Sequence, residues 1–241
     1  AYAVPEAAVV ADPDRVAGAE RALARGAEVL VLDDAYQRRD VHRDCNIVLV
    51  SAETSRAVAW PLPAGPWREG WAALSRADIV IVTRKRATAE AALRLVRDLS
   101  GRVDVPVALV HLSLARLEGL TSGRAVPPSV LAGKRVVAAA AIADPGAFVA
   151  QVKGTGARVQ VATWKDHHEF RDEDVAWLAH ATRRADHLVI TSKDAAKLRD
   201  RWPANVPEPF VAELDLVWEE GRDDVTAALD AVVAHLARHS P

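Results

Sequence analysis

Apolar runs recur along the chain at 29–32, 47–50, 79–83 and 107–110, and again at 135–142, 158–163, 188–191 and 211–217. Runs 29–32 and 79–82 carry no polar alternation, the pattern of a strand buried on both faces in a helix-covered parallel sheet. The other runs read as further strands, and the shorter stretch 7–11 reads as one too. Asp12-Pro13-Asp14-Arg15 reads as a helix start, with Asp12 as N-cap, Pro13 at the first helical position and Asp14 in the first turn. That helix is predicted to run to about Arg25 and stop at Gly26. Further helices are predicted over 87–99, from Pro145 with Asp144 as cap, and over 223–239. In the last, Val225, Leu229, Val232, Val233 and Leu236 fall at helical spacing and form a stripe predicted to be core. Strand–helix alternation implies an α/β fold with a parallel sheet and right-handed crossovers. The stretch 120–128, with Gly123 and Pro127-Pro128, makes the best boundary, giving a domain over 1–128 and a smaller α/β domain over 129–241.

Composition narrows the function classes. The 241 residues suit one large or two small domains, and a formal charge of −2 offers no basic field for nucleic acid. The single cysteine, Cys45, rules out an internal disulfide framework and reads as a small, buried residue. No run approaches the roughly 18 apolar residues that span a bilayer. Methionine is absent, and the chain opens Ala-Tyr-Ala-Val-Pro close to a predicted strand, so it is expected to be the later part of a longer protein.

Candidate chemistry collects where strands end. Run 29–32 closes on Asp33-Asp34, and ligands of open α/β sheets bind outside the carboxyl ends of strands. An apolar strand ending in Asp is also the pattern of a Walker B segment, whose Asp holds Mg²⁺ beside nucleotide phosphates. An Asp-Asp turn or helix cap would look the same. The loop that follows, 36–44, holds five charged side chains with Gln37 and His42, placed to touch phosphate or sugar. Stretch 60–70 is rich in Pro and Gly and carries Arg68 and Glu69. In Asp166-His167-His168 the two histidines point to opposite sides of an extended chain, which argues against a shared metal. Lys193 follows run 188–191, where it could reach a phosphate or serve a helix start. No G-x-x-x-x-G-K-[ST] cradle occurs anywhere in the sequence.

Four of these segments, taken together, carry a resemblance. Residues 33–44, DDAYQRRDVHRD, resemble the "DDGFQHR…RD" signature of the tetraacyldisaccharide 4'-kinase (lipid A 4'-kinase) family. Residues 62–69, LPAGPWRE, are similar to its "LPAGPLRE". Asp166-His167-His168 and residues 191–198, TSKDAAKL, are similar to its "DHH" and "TEKDAVKL". The departures are Ala35 for Gly, Ser192 for Glu, and Ala141 and Ala143 in place of both glycines of a "GIGDP" turn. The resemblance implies a P-loop-kinase-like sheet without its P-loop strand, with the P-loop, a catalytic Asp and a membrane-facing helix lying upstream. It implies transfer of the ATP γ-phosphoryl group to the 4'-hydroxyl of a lipid A disaccharide precursor, at the cytoplasmic face of the bacterial inner membrane.

By the same resemblance His167, Asp34 and Arg68 are catalytic, with His167 oriented by Asp166. Arg15, Gln37 and Lys193 contact the nucleotide, and Asp33, Asp34 and Glu69 hold Mg²⁺. Without a phosphate cradle the chain alone is expected to be inactive. Two other readings compete: a non-enzymatic nucleotide- or lipid-headgroup-binding protein, and a sugar-nucleotide transferase holding its metal on Asp33-Asp34. The transferase leaves the other three motifs unexplained.

Overall fold

The computed structural model describes residues 7–53, 64 and 67–239. Its strands are β1 (Ile47–Ser51), β2 (Ile79–Arg84), β3 (Val107–Gly119), β4 (Ala125–Val126), β5 (Arg135–Ala140), β6 (Arg158–Thr163), β7 (His187–Thr191) and β8 (Phe210–Glu220). Its helices are α1 (Arg15–Leu23), α2 (Ala89–Ser100), α3 (Pro145–Gly154), α4 (Asp172–Arg184), α5 (Ser192–Leu198) and α6 (Arg222–His239). All eight strands join one sheet in the order β1-β2-β3-β8-β7-β5-β6, with β4 beside β3. The curled, mostly parallel sheet fits the P-loop-kinase-like α/β class.

The predicted runs that became β2, β5 and β7 lie inside the sheet, with partners on both sides and both faces largely covered. In the second half Val137, Ala139, Leu188 and Ile190 bury one sheet face against Leu178 of α4 and Leu198 of α5. The alternate residues Val136, Ala138, Ala140 and Val189 bury the other against Phe148, Val149 and Val152 of α3. In the first half Val80, Val82 and Leu109 pack on Val96 and Leu99 of α2.

Run 29–32 departs from expectation. It is not a strand, and Val29 and Val31 are 74% and 92% exposed. Among the described residues β1 is the edge of the sheet, and the run pairs neither with it nor with any other strand. Stretch 7–11 is likewise irregular. Helix α1 starts two residues later than predicted: Asp14 is the N-cap, accepting from the amides of Val16 and Ala17, while Asp12 accepts from the Asp14 amide at 2.8 Å.

The α6 stripe is core only at its start. Val225 is buried against Ile79 and Ala108, whereas Leu229, Val233 and Leu236 are 37%, 60% and 37% exposed. The later turns border a hollow shared with the polar residues His42, Arg43 and Asp44 instead of sheet. Cys45 is half-buried at the same cluster, and burial pushes its thiol up. Among the described residues no helix is long and apolar enough to cross a membrane.

Strand β3 is far longer than predicted. Beyond Val110 it changes from a doubly apolar run to period-two alternation, and pairs antiparallel with β8 from His111–Val217 to Gly119–Phe210. Because β8 lies in the second half of the chain, this ribbon makes the two halves one sheet.

Candidate active site

The ribbon sets the geometry of the site. Strands β1, β2 and β3 run parallel to one another, and β5, β6, β7 and β8 run parallel to one another, but β3 and β8 are antiparallel. The two sets of carboxyl ends therefore face each other. The last residue of β2, Arg84, is level with His111 and through it with Val217. The last residue of β7, Thr191, is level with Ala212 and through it with Leu117. Between those levels lie six residue steps of ribbon, roughly 20 Å. The residues that follow β1, β2, β5, β6 and β7 all open toward this gap. Arg86, following β2, reaches across to the first turn of α3, where a side-chain carbon on Gly146 would lie 3.4 Å from its Nη1.

On the first-half side, Asp34 adopts a left-handed backbone (φ 53°) and its Oδ1 takes Arg68 Nη1 at 2.6 Å. Asp is among the few residues that enter this region routinely, because its short side chain can bond locally. Glu69 accepts both its hydrogen bonds from Arg76 Nη2, at 2.8 and 2.9 Å. The Arg76 guanidinium lies 4.7 Å over the Tyr36 ring, and the Tyr36 hydroxyl donates to the Ala73 carbonyl at 2.5 Å. Burial raises the Tyr36 hydroxyl pKa despite the nearby Arg76 charge, so it stays a donor. A cavity of about 300 Å³ opens between these groups and β1, lined by Gln37, Arg68, Glu69 and Trp71 among others. Asp33 is exposed beside it. Arg15 lies elsewhere, donating to the Asp12 carbonyl and lining a hollow between α1 and residues 29–32.

On the second-half side, β6 leads into the turn 164–168. His167 has φ 60°, is 79% exposed at its side chain, and holds its Nε2 3.6 Å from Asp166 Oδ2. His168 turns the other way: its Nε2 meets Asp174 Oδ2 at 2.9 Å, with the side chain 26% exposed. An extended chain is expected at this point, but residues 166–167 form a turn with His167 in the left-handed region. Lys193 is exposed on the first turn of α5. Its neighbour Asp194 is fully buried, accepting from the Ala141 amide at 3.1 Å and the Thr191 hydroxyl at 2.7 Å, with Oδ1 unpartnered. Asp194 thus ties the end of β5 to the end of β7, where the strand order 6-5-7 reverses direction, a usual ligand position in such sheets.

A family model described as tetraacyldisaccharide-1-P 4'-kinase, LpxK, matches residues 1–234. The chain belongs to the LpxK family. A tetraacyldisaccharide 4'-kinase of Anaeromyxobacter sp. (strain Fw109-5) is 35% identical over 240 residues, covering 96% of this chain and 63% of that protein. One from Geobacter metallireducens is 37% identical over 202 residues, covering 82% of this chain and 57% of that protein. The chain thus spans about three fifths of the length of these curated relatives. A crystal structure of LpxK from Aquifex aeolicus in complex with ATP has the same fold, with a TM-score of 0.64 at 22% identity, over 90% of this chain and 62% of that one.

Several LpxK-signature residues are grouped by the structure and others are not. Gln37, Arg68 and Glu69 share the cavity beside β1, with Asp34 held at its rim by Arg68. Arg15 is outside that group. Most of the segment 62–66 lies outside the described residues. The donor set Asp33, Asp34 and Glu69 does not fit a divalent cation as it stands. Asp34 and Glu69 are each committed to a different arginine, and among the described residues no three His, Cys, Asp or Glu side chains converge to hold a metal. The alanines that replace family glycines are accommodated without strain, since Asp34 and His167 are the non-glycine residues with positive φ among those described, and Ala35 and Ala141 are small buried positions.

Sequence reasoning missed Glu53, Asp174, Asp194 and Lys197. Glu53 follows β1 and accepts from the amides of Lys85, Arg86 and Ala87 at 2.8, 3.0 and 3.0 Å, and from the Ser51 hydroxyl at 3.0 Å. Burial alone would raise its pKa, but four donors hold it at about 2. It fixes the turn that carries Arg86. Asp194 and Lys197 sit inside the TSKDAAKL segment, so that signal was present; Glu53 and Asp174 lie in no motif.

Proposed function

We propose that the protein transfers the γ-phosphoryl group of ATP to the 4'-hydroxyl of a tetraacyldisaccharide 1-phosphate, working peripherally at the cytoplasmic face of the inner membrane. Membership of the LpxK family supports the reaction class. The observation that supports the reading is that carboxyl strand ends from the two halves face one another across the β3–β8 ribbon, with His167 following β6 and Lys193 following β7. In this reading the halves 1–128 and 129–241 act as two domains sharing one sheet, and the substrates lie between them.

Phosphoryl transfer needs positioning and charge neutralisation more than covalent chemistry. Arg68 is half exposed at the cavity rim and its guanidinium suits phosphate oxygens, with Asp34 orienting it until an anion arrives. Gln37 lines the same cavity and offers both a donor and an acceptor to sugar or phosphate. Lys193 supplies a mobile positive charge from the opposite wall. His167, exposed and held beside Asp166, accepts the proton of the 4'-hydroxyl as its oxygen bonds to the γ-phosphorus and the bond to the ADP oxygen breaks.

The test is transfer of labelled γ-phosphate from ATP to tetraacyldisaccharide 1-phosphate by the complete gene product. His167→Ala should lower kcat by about 10²–10³-fold with KM nearly unchanged, the range for a lost general base. A complete gene product that binds nucleotide or lipid but transfers nothing would sink the kinase reading in favour of a binding protein.

A further inference from the structure

The turn that carries His167 is held by its neighbour Asp166 and, beyond it, by groups with no part in the chemistry described above. Its left-handed backbone is uncommon outside glycine and is held here by its neighbours. On one side, the His167 amide donates to Asp166 Oδ1 at 3.0 Å. On the other, the His168 amide closes the turn onto the Lys165 carbonyl at 3.1 Å. The His168 ring is wedged between aromatics, stacked on Trp164 at 6.1 Å and 21°, and edge-on to Phe170 at 5.6 Å and 88°. From α5, Lys197 Nζ donates to the His168 carbonyl at 2.8 Å.

Asp174, in the first turn of α4, gathers the rest. Its Oδ1 accepts from Trp164 Nε1 at 3.0 Å, and its Oδ2 from the Arg171 amide at 2.8 Å and from His168 Nε2 at 2.9 Å. Burial works to raise this carboxyl, yet its hydrogen bonds to His168, Arg171 and Trp164 hold it below the usual range. The same carboxylate therefore fixes the exit of β6, the start of α4 and the ring of His168. With His168 drawn inward, the adjacent side chain of His167 is left out in solvent, which is the difference between 26% and 79% exposure.

We propose that His168, Asp174 and Lys197 are positioning residues that set the left-handed turn at His167 and so present its ring to the acceptor hydroxyl. This rests on the reading of His167 as the proton acceptor. It makes the second histidine of the Asp-His-His segment a structural lock on the first instead of a second reactive group.

The complete gene product is assayed as His167→Ala, Asp174→Asn, His168→Gln, His168→Ala and the double variant His167→Ala/Asp174→Asn. Asp174→Asn and His168→Ala should each lower kcat about tenfold or more, with both KM values within about twofold. His168→Gln, whose amide can donate from near the Nε2 position, should keep most of the rate. In the His167→Ala background, Asp174→Asn should cost nothing further, because residues acting through one another are not additive. A full additional loss in the double variant would overturn the proposal. Independently, the amide–Hα coupling constant of residue 167 should leave its positive-φ value in His168→Ala and Asp174→Asn; an unchanged coupling would also overturn it. Were His167→Ala itself silent, the assignment of His167 as proton acceptor would fall, while the coupling constant would still decide whether these residues set the turn.

Discussion

Single carboxylates do much of the local fixing in this molecule, and they make its stability depend on acid in a defined window. Glu53 and Glu208 are both held at about 2, each against the pull of its own burial. Glu208 accepts from the amides and hydroxyls of Thr121 and Ser122, and so pins the turn after β3 to the segment before β8. In the unfolded chain a glutamate titrates near 4.3. A folded value below the unfolded one means that the stabilising contribution is fully present above about 4.3 and is lost as the pH falls toward 2. Glu53→Gln should therefore lose about 1–2 kcal/mol at pH 7, allowing for partial solvent screening, and its unfolding midpoint should fall less steeply than the parent's between pH 4.5 and 2. Denaturant unfolding across that range measures both. Neither glutamate was legible in advance. Glu53 stands beside its strand with no motif around it, and its partners are backbone amides about thirty residues away, which no side-chain pattern encodes. His167, Arg68 and Gln37 were legible because they sit in contiguous signatures, whereas Asp174 is joined to His168 only by the fold.

At the scale of elements, the doubly buried strands were the most readable, since β2, β5 and β7 have helices on both sides and each carries an unbroken run of three to five apolar residues. The ribbon half of β3 was missed because its text changes there to alternation with His111, Ser113, Arg116 and Glu118. Run 29–32 failed for the opposite reason. Apolar text is the same whether or not the run is paired, and among the described residues this run pairs with no strand. Helix α4 has Arg171 at its N-cap position in place of Ser, Thr, Asp or Asn, so its start is marked by the acidic first turn Asp172, Glu173 and Asp174 alone. One connection is more exacting than its sequence suggests. Gly221, between β8 and α6, has φ 73°, and a side-chain carbon there would lie 2.9 Å from both the Ala108 Cα and the Val107 carbonyl oxygen. Gly221→Ala combines a left-handed backbone with a clash against the central strand, and should destabilise the protein by about 2 kcal/mol or more. Thermal unfolding is the measurement.

For the whole molecule, the sheet's reversal of direction at β3–β8 has a cost in time. The end of β3 is synthesised about ninety residues ahead of the start of β8. At roughly 5–20 residues per second, the edge of β3 then waits about 5–20 s on the ribosome for its partner. During that interval the first half holds a complete apolar cluster but presents an open strand edge, and open edges template association between chains. Chains ended anywhere between 128 and 209 should accumulate as aggregates, and restoring residues 210–220 should recover soluble protein, read by sedimentation of the expressed products. The strand that holds the two halves together is thus also the one whose late arrival leaves the nascent chain most in need of a chaperone.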